Sequence, residues 1–314
     1  MSTIQTVGVV GAGTMGNGIT QAFAASGINV VMTDIADAAL QKALATISGS
    51  YDRLIKKEKA STEQKAAALQ KITISTDLAA IAQCDMVIEA ATENEALKLK
   101  IFKQLDDLAK PEAILASNTS SISITKLAAA TQRPDKVIGL HFFNPVPMMA
   151  LVELIHGLQT SAETQSATEA VARQIGKAPV KVRNAPGFVV NRLLCPMINE
   201  AIFALGEGLA SAAEIDDAIG VEIDVGQRRE EGLRHVGIDF GIDDADLARG
   251  DGVGRNGLQQ VYQHVLQVGD FTGLAAHAAR KAAAGVALGG TDGVFTLHAK
   301  HGGFLVGWDG KRET

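Results

Sequence analysis

The chain has 314 residues, of which 46% are hydrophobic and 20% charged, with a net charge of −6 at pH 7. This length accommodates two domains, and the composition is typical of a soluble globular protein. The negative charge argues against a general nucleic-acid binder, because binding of phosphates needs a basic surface.

The apolar runs are also informative about location. They are interrupted before they reach the roughly 18 residues that a membrane span needs. No basic region followed by an apolar leader precedes the first predicted strand, so we expect no secretory signal and a cytoplasmic location. Cys84 and Cys195 are the two cysteines. In so long a chain they are typical of reduced, buried thiols rather than a disulfide framework or a metal site.

The first predicted elements are a strand, a glycine-rich turn and a helix, in the segments TVGVV, GAGTMG and ITQAFAA. The glycines have the G-x-G-x-x-G spacing at 11–16. Gly11 would permit the tight turn, Gly13 would let a pyrophosphate approach the backbone, and Gly16 would let the helix pack closely on the strand. Unpaired amides at the start of the helix would bind the phosphates.

A second predicted strand, INVVMTD, ends in Asp34, 18 residues after Gly16. A carboxylate at this position can accept hydrogen bonds from the ribose hydroxyls and would repel a 2′-phosphate. The pattern therefore favours NAD, with NADP the less favoured cofactor. A simple strand–helix–strand turn without a nucleotide is the alternative.

The segment from Ala36 to Thr73 is polar and has helical spacing. It contains Lys56, Lys57 and Lys59. Such a charge run is usually a solvated helix face, and a phosphate contact is the alternative.

Two further apolar strands, CDMVIEAA and AILASNTSS, are separated by a helical pattern. Alternation of strands and helices predicts a doubly wound parallel sheet, the α/β Rossmann architecture. Glu93, Lys98, Asn118 and Ser120 would then lie beside the cofactor crevice. Each of them alone would more simply be a helix cap or a surface group.

The segment 137–155, VIGLHFFNPVPMMALVELI, contains the candidate catalytic pair. VIGL predicts a short buried strand with His141 at its end, the edge at which ligands bind in open parallel sheets. Glu153 lies in an apolar segment, where an unpaired carboxylate is costly, so an imidazole partner is expected. The simpler interpretation makes His141 a hydrogen-bonded core histidine and Glu153 a solvated strand residue.

After this segment we expect a last strand in PVKVR, a turn at Pro186 and Gly187, and a long apolar helix that contains Asn191. A polar amide in such a helix needs partners or faces a cleft. The turn predicts a boundary between a first domain, 1–185, and a smaller, mainly helical C-terminal domain, 186–314.

The motifs GAGTMG, EAATEN, SNTSS, HFFNPVP and PGFVVNR, in this order, resemble the short-chain L-3-hydroxyacyl-CoA dehydrogenases, a family that includes the bacterial 3-hydroxybutyryl-CoA dehydrogenases. The resemblance covers residues 1 to about 218. It implies a reversible hydride transfer between NAD and C3 of a 3-hydroxyacyl-CoA, in a homodimer.

The resemblance also implies residue roles. His141 would be the general base, and Glu153 would orient and charge its imidazole. Ser120 and Asn191 would hold substrate oxygens, while Ser50 and Lys57 would approach the CoA. The cofactor-binding residues would be Gly11, Gly13, Thr14, Met15, Gly16, Asp34, Glu93, Lys98, Asn118, Ser120 and Asn144.

The last hundred residues depart from the family. Of the 32 glycines, 19 lie in 219–314, and no proline follows Pro196. Such a change in composition indicates either an altered reading frame or a genuinely divergent domain. LQQVYQHVLQV and GLAAHAARKAAAGVAL could form helices, whereas GGTDGVF and KHGGFLVGWDGK suggest irregular structure or hairpins.

Because residues 219–314, the tail, depart from the family, other functions stay open. A nucleotide-binding protein with impaired catalysis is one alternative, and a dehydrogenase of the same fold that acts on a hydroxy acid or sugar acid is another. No metal site is expected, because the tail histidines lack metal-ligand spacing; they are His235, His264, His277, His298 and His301.

Overall fold

The computed structural model describes residues 4–211, 214, 215 and 218, together with the backbone of 293–300 and 303–310. Contacts divide the chain into two units, Met1–Val189 and Val190–Thr314.

The first unit alternates strands and helices. Its strands are β1 Thr6–Val10, β2 Asn29–Thr33, β3 Ile72–Ser75, β4 Met86–Glu89, β5 Ile114–Ser117, β6 Val137–Phe142, β7 Leu151–His156 and β8 Ala178–Arg183. Its α-helices are α1 Thr14–Ala25, α2 Asp37–Lys56, α3 Thr62–Gln70, α4 Glu95–Leu108, α5 Ile124–Ala128 and α6 Ala162–Gln174. Short 3-10 helices occupy Leu78–Ile81 and Pro134–Lys136.

The eight strands form one sheet in the order β3-β2-β1-β4-β5-β6-β7-β8. The first six strands are parallel, which confirms the predicted Rossmann architecture. β7 is antiparallel to β6, and β8 is parallel to β7, so the last two strands depart from the all-parallel expectation. Only residues 143–150 join β6 to β7. A parallel crossover needs a dozen or more residues, so this short connection makes the pair antiparallel.

Helices cover both faces of the sheet. Val9 and Ile88 belong to one core layer, which contains the apolar residues of α1 and α6. Val10 and Val87 belong to the opposite layer, with α4 and α5. Successive strand residues point to opposite faces, so a central strand buried on both faces is apolar throughout.

The helix starts differ in a way that bears on the site. Asn94 and Ser161 immediately precede α4 and α6, and their side-chain oxygens accept hydrogen bonds from the amides of Leu97 and Thr164. The residue before α1 is Gly13, which has no side chain for capping. The first turn of α1 thus lacks a side-chain cap, an arrangement suited to an external anion.

The second unit contains helix α7, Val190–Gly206, which confirms the predicted apolar helix. It also contains β9, Gly293–Lys300, paired antiparallel with β10, Gly303–Gly310. This pair fits the hairpin alternative for the glycine-rich segments. The two candidate tail helices, 258–268 and 273–288, lie outside the described residues, as do His235, His264, His277 and His301.

Candidate active site

The glycine-rich turn has the backbone that its sequence predicted. Gly11 has a φ of +106°, and a Cβ there would lie 2.7 Å from the carbonyl oxygen of Ala90. At Gly16 a Cβ would lie 1.7 Å from the carbonyl oxygen of Gly11. A Cβ at Gly13 would meet nothing within 4 Å. The turn therefore needs Gly11 and Gly16 for its own folding, and it leaves room at Gly13 for a ligand such as a pyrophosphate.

Asp34 ties the end of β2 to this turn. Its Oδ2 accepts a hydrogen bond from the amide of Ala12 at 2.8 Å, and its Oδ1 accepts one from Ala36 at 3.1 Å. The carboxylate therefore lies against the glycine-rich turn, and its contact with a ribose stays a prediction. Thr14, which is exposed, and the half-buried Met15 begin α1 beside it.

A buried charge cluster lies at the end of β4. The Nζ of Lys98 is 2.6 Å from Glu89 Oε1 and 3.3 Å from Glu93 Oε2, and the side chains of Lys98 and Glu89 are 1% and 0% exposed. Glu89 Oε2 also accepts a hydrogen bond from the Ser117 hydroxyl at 2.7 Å. Two carboxylates share one buried ammonium, so the cluster is held together by charge-assisted hydrogen bonds.

Glu93 also fixes the loop after β5. Its Oε1 accepts hydrogen bonds from the amides of Ser120 and Ser121 at 3.1 and 3.3 Å, and from the hydroxyl of Thr119. Asn118 Oδ1 accepts a hydrogen bond from the amide of Phe142 at 2.9 Å, which joins the ends of β5 and β6. These contacts hold Ser120 at the carboxyl end of β5. Because β5 and β6 are parallel, the carboxyl end of β6 lies at the same edge of the sheet.

His141 and Glu153 are direct partners in the register of β6 and β7. His141 Nδ1 lies 2.8 Å from Glu153 Oε2, and the residues are 6% and 1% exposed. The second carboxylate oxygen, Oε1, accepts a hydrogen bond from the amide of Val189 at 3.0 Å. The rings of Phe143 and Phe188 lie 4.6 and 5.7 Å from the imidazole. The interpretation of Glu153 as a solvated strand residue was wrong.

The pair has a defined chemical capability. An ionised carboxylate can only accept a hydrogen bond, so Glu153 requires the proton of the neutral imidazole to be on Nδ1. Nε2 is then the nitrogen that can exchange a proton with a ligand. The predicted strand VIGL continues through His141 to Phe142, so the histidine is one residue inside the strand rather than beyond it.

Four further residues belong to the predicted site. The Ser50 hydroxyl accepts a hydrogen bond from the side-chain amide of Gln21 at 3.0 Å. Lys57 is exposed and immediately follows α2. Asn144, half-buried, precedes a cis peptide bond to Pro145. Asn191 belongs to the second unit, where it is buried in the first turn of α7.

Sequence reasoning missed Glu89. It ends the apolar segment DMVIE, where a carboxylate without a partner would be costly, and the same signal had identified Glu153. Lys98 was predicted to line the crevice, and its ion pair with Glu89 was not predicted.

Both cysteines lie in the described part of the chain. Cys84 is buried, as expected, whereas Cys195 is only half-buried, and burial raises the pKa of Cys84 to about 12. In the described part of the chain, no three His, Cys, Asp or Glu side chains form a group that could hold a metal ion. No helix found there is long and apolar enough to cross a membrane.

The chain matches two family models. Residues 6–185 match the NAD binding domain of 3-hydroxyacyl-CoA dehydrogenase, and residues 187–240 match the C-terminal domain of the same family. The second match extends beyond residue 218, so the predicted limit of the family resemblance was too early.

Named relatives agree with these matches. A 3-hydroxybutyryl-CoA dehydrogenase from Bradyrhizobium diazoefficiens is 48% identical over 218 residues, 69% of this chain and 74% of the relative. A 3-hydroxyadipyl-CoA dehydrogenase from Escherichia coli is 41% identical over 219 residues, 70% of this chain and 46% of the relative. The crystal structure of (S)-3-hydroxybutyryl-CoA dehydrogenase from Ralstonia eutropha is 62% identical, with a TM-score of 0.67, over 70% of this chain and 77% of that one. On these matches, the chain belongs to the 3-hydroxyacyl-CoA dehydrogenase family of oxidoreductases.

Proposed function

We propose that the protein interconverts a short-chain 3-hydroxyacyl-CoA, 3-hydroxybutyryl-CoA in the first instance, and the corresponding 3-oxoacyl-CoA with NAD. The observation that carries this proposal is the buried His141–Glu153 pair, with His141 near the carboxyl end of β6. The name of the Bradyrhizobium relative supports the butyryl group, whereas the Escherichia coli relative is named for an adipyl group.

The chemistry requires a base at the substrate hydroxyl. Removal of a hydride from C3 leaves positive character that is relieved when the hydroxyl proton departs. His141 Nε2 accepts this proton, and Glu153 stabilises the imidazolium that forms. In the reverse direction the imidazolium returns the proton to the oxygen. When bound, NAD supplies the hydride acceptor.

Four side chains would hold the substrate. Ser120 and Asn191 would donate hydrogen bonds to the substrate oxygens, and Ser50 and Lys57 would contact the CoA. The amide contacts that fix the loop of Ser120 support this role, because a donor must be held in place before the substrate arrives.

NAD is the preferred cofactor in this proposal. Asp34 lies against the glycine turn with both carboxylate oxygens directed at backbone amides. A 2′-phosphate there would meet a like charge, which is costly, whereas two ribose hydroxyls could donate hydrogen bonds to the same carboxylate.

The test is oxidation of NADH with acetoacetyl-CoA, on protein whose intact mass agrees with the 314 residues. Turnover supports the dehydrogenase. Binding of NADH without turnover would support the nucleotide-binding alternative, in which residues 219–314 do not provide substrate closure or the homodimer contact that we expect of the family. Turnover of a free hydroxy acid but not of the acyl-CoA would support the third alternative.

A further inference from the structure

Glu89, the last residue of β4, has a buried carboxylate to which the proposed chemistry gives no role. The residue is 0% exposed. Its Oε1 accepts hydrogen bonds from the Lys98 ammonium at 2.6 Å and the amide of Ala91 at 2.7 Å, and its Oε2 accepts one from the Ser117 hydroxyl at 2.7 Å. The three donors belong to α4, to the turn after β4 and to β5. Glu89 therefore joins three segments at the carboxyl edge of the sheet.

Lys98 extends these contacts toward the loop after β5. Besides its bond to Glu89, its Nζ donates a hydrogen bond to the carbonyl oxygen of Ala91 at 3.1 Å and forms an ion pair with Glu93 Oε2 at 3.3 Å. An ammonium has three donors, and three oxygens of the protein itself surround this one. Lys98 is 1% exposed, so its contacts favour a role in holding the two carboxylates over a direct contact with a ligand.

Glu93 transmits this position to the loop that contains Ser120. Its Oε1 accepts hydrogen bonds from the hydroxyl of Thr119, from the amide of Ser120 at 3.1 Å, and from the amide and hydroxyl of Ser121 at 3.3 and 3.1 Å. Four donors thus converge on one oxygen. A displacement of this oxygen lengthens or bends several of these bonds together, so the loop follows the carboxylate.

The glycine-rich turn is held by other contacts. The amide of Gly11 donates a hydrogen bond to the carbonyl oxygen of Thr33 at 2.7 Å, and the amide of Ala12 donates one to Asp34 at 2.8 Å. Both contacts are with residues at the end of β2, and none of the hydrogen bonds of Glu89 described above is with this turn. A change at Glu89 should therefore reach the loop of Ser120 and leave the glycine-rich turn in place.

We propose that Glu89 is a positioning residue for substrate binding and acts through Lys98 and Glu93 to set the position of Ser120. The inference rests on the proposed function, which gives Ser120 a hydrogen bond to a substrate oxygen. Hydrogen bonds weaken steeply when the donor is displaced or tilted. A carboxylate that never touches the substrate can therefore control the affinity for it.

The first experiment measures backbone hydrogen exchange in the full chain and needs neither ligand nor turnover. Glu89→Gln keeps the shape of the side chain and removes its charge. Peptides that cover residues 118–122 should exchange about tenfold faster in the variant, whereas those of α6 and of the glycine-rich turn should stay within about twofold of the parent. Unchanged exchange in 118–122 would show that Glu89 does not hold the loop. A uniform increase over the whole sheet would reduce its role to general stability.

A second variant covers the case in which Glu89→Gln does not fold. Ser117→Ala removes one hydrogen bond of Glu89 and retains the charge, so it perturbs the same carboxylate at a smaller cost to folding. We expect exchange in 118–122 to be about two- to threefold faster. The control is Glu112→Gln at an exposed position, which should match the parent. No difference between Ser117→Ala and this control would also count against the inference.

The second experiment is a double-mutant cycle on binding of acetoacetyl-CoA, measured by calorimetry with oxidised NAD at saturation. Both ligands are oxidised, so no hydride is transferred and no turnover is needed. Glu89→Gln and Ser120→Ala should each weaken binding by about three- to tenfold, and the double variant should bind within about twofold of Ser120→Ala, because no hydroxyl remains for Glu89 to position. The dissociation constant of NAD should stay within about twofold of the parent in every variant.

The outcomes separate this inference from the proposed function. Losses that multiply in the double variant would mean that Glu89 does not act through Ser120, even if the parent turns over acetoacetyl-CoA. A parent that shows the expected cycle but no turnover with NADH would contradict the dehydrogenase proposal and leave the positioning role supported. A parent that does not bind acetoacetyl-CoA would overturn both.

Discussion

Glu153 lies directly across the β6–β7 pair from His141, and this register converts a separation of 12 residues into a contact of 2.8 Å between Oε2 and Nδ1. The other carboxylate oxygen is held by the amide of Val189. Both oxygens of Glu153 are therefore engaged, so the carboxylate is fixed before any substrate binds. This fixed geometry is what the proposed proton transfer requires.

Replacement of Glu153 tests the contribution of its charge. Glu153→Gln keeps the shape but removes the charge that stabilises an imidazolium, so we expect kcat to fall by about 10- to 100-fold with NADH binding retained. Steady-state kinetics and NADH titration provide the comparison. The exposed Glu112→Gln is the matched control. A kcat within about twofold of the parent would remove Glu153 from the mechanism.

Replacement of Asp34 tests cofactor choice. Asp34→Ser removes the carboxylate that would repel a 2′-phosphate, so kcat/KM with NADPH should rise relative to that with NADH by about tenfold or more. The control is Asp37→Ser, an exposed position in the first turn of α2. An unchanged ratio would mean that another group selects the cofactor.

Lys98 tests the buried charge cluster. Lys98→Met leaves Glu89 buried without its ammonium partner at 2.6 Å, and the loss of one partner from a buried pair costs about 3–5 kcal/mol. Urea denaturation should show this fall in the free energy of unfolding. The exposed Lys100→Met should change it by no more than about 0.5 kcal/mol. Similar midpoints for the two variants would show that the cluster does not stabilise the fold.

The interactions of Asp85 predict that the stability of the fold depends on pH. Burial raises the pKa of this carboxyl, but Lys110 and the amides of Gln5 and Thr6 outweigh burial and hold the pKa below its ordinary value. A pKa that is lower in the folded state favours folding at pH values above the unfolded pKa. This contribution is lost as the pH falls through the folded pKa.

The Asp85→Asn variant measures this contribution. The variant should lose about 1–2 kcal/mol of free energy of unfolding at neutral pH, a modest loss because the Asp85 carboxylate is partly exposed. The difference between variant and parent should shrink toward pH 2. Denaturation at a series of pH values provides the measurement. A difference that stays constant with pH would assign the loss to packing.

The order of strands and helices in the first unit could be predicted, because apolar runs and glycine turns are local signals. The reversal of β7 and β8 was not predicted, since strand direction depends on the length of the connection 143–150 and on pairing across the sheet. His141 and Glu153 could be paired by the cost of an unpaired buried carboxylate. The same cost applies to Glu89, but the sequence pattern does not identify Lys98 as its partner, and this contact is known only from the structure.

Other assignments depend on contacts that a sequence pattern does not contain. Glu93 is predicted to line the cofactor crevice, which stays a prediction, and the structure shows its carboxylate accepting hydrogen bonds from the loop that contains Ser120. The residues that bind NAD and CoA stay predictions, and so does the role of Asn191, which lies in the second unit.

The measurement that tests the central claim most directly compares the parent and His141→Gln. It records the rate of NADH oxidation with acetoacetyl-CoA and the dissociation constant of NADH for both proteins. We predict that the variant binds NADH within about twofold of the parent and loses turnover by about 100-fold or more, because glutamine cannot supply the proton. Near-normal turnover by the variant would contradict the assignment of His141 as the acid–base residue.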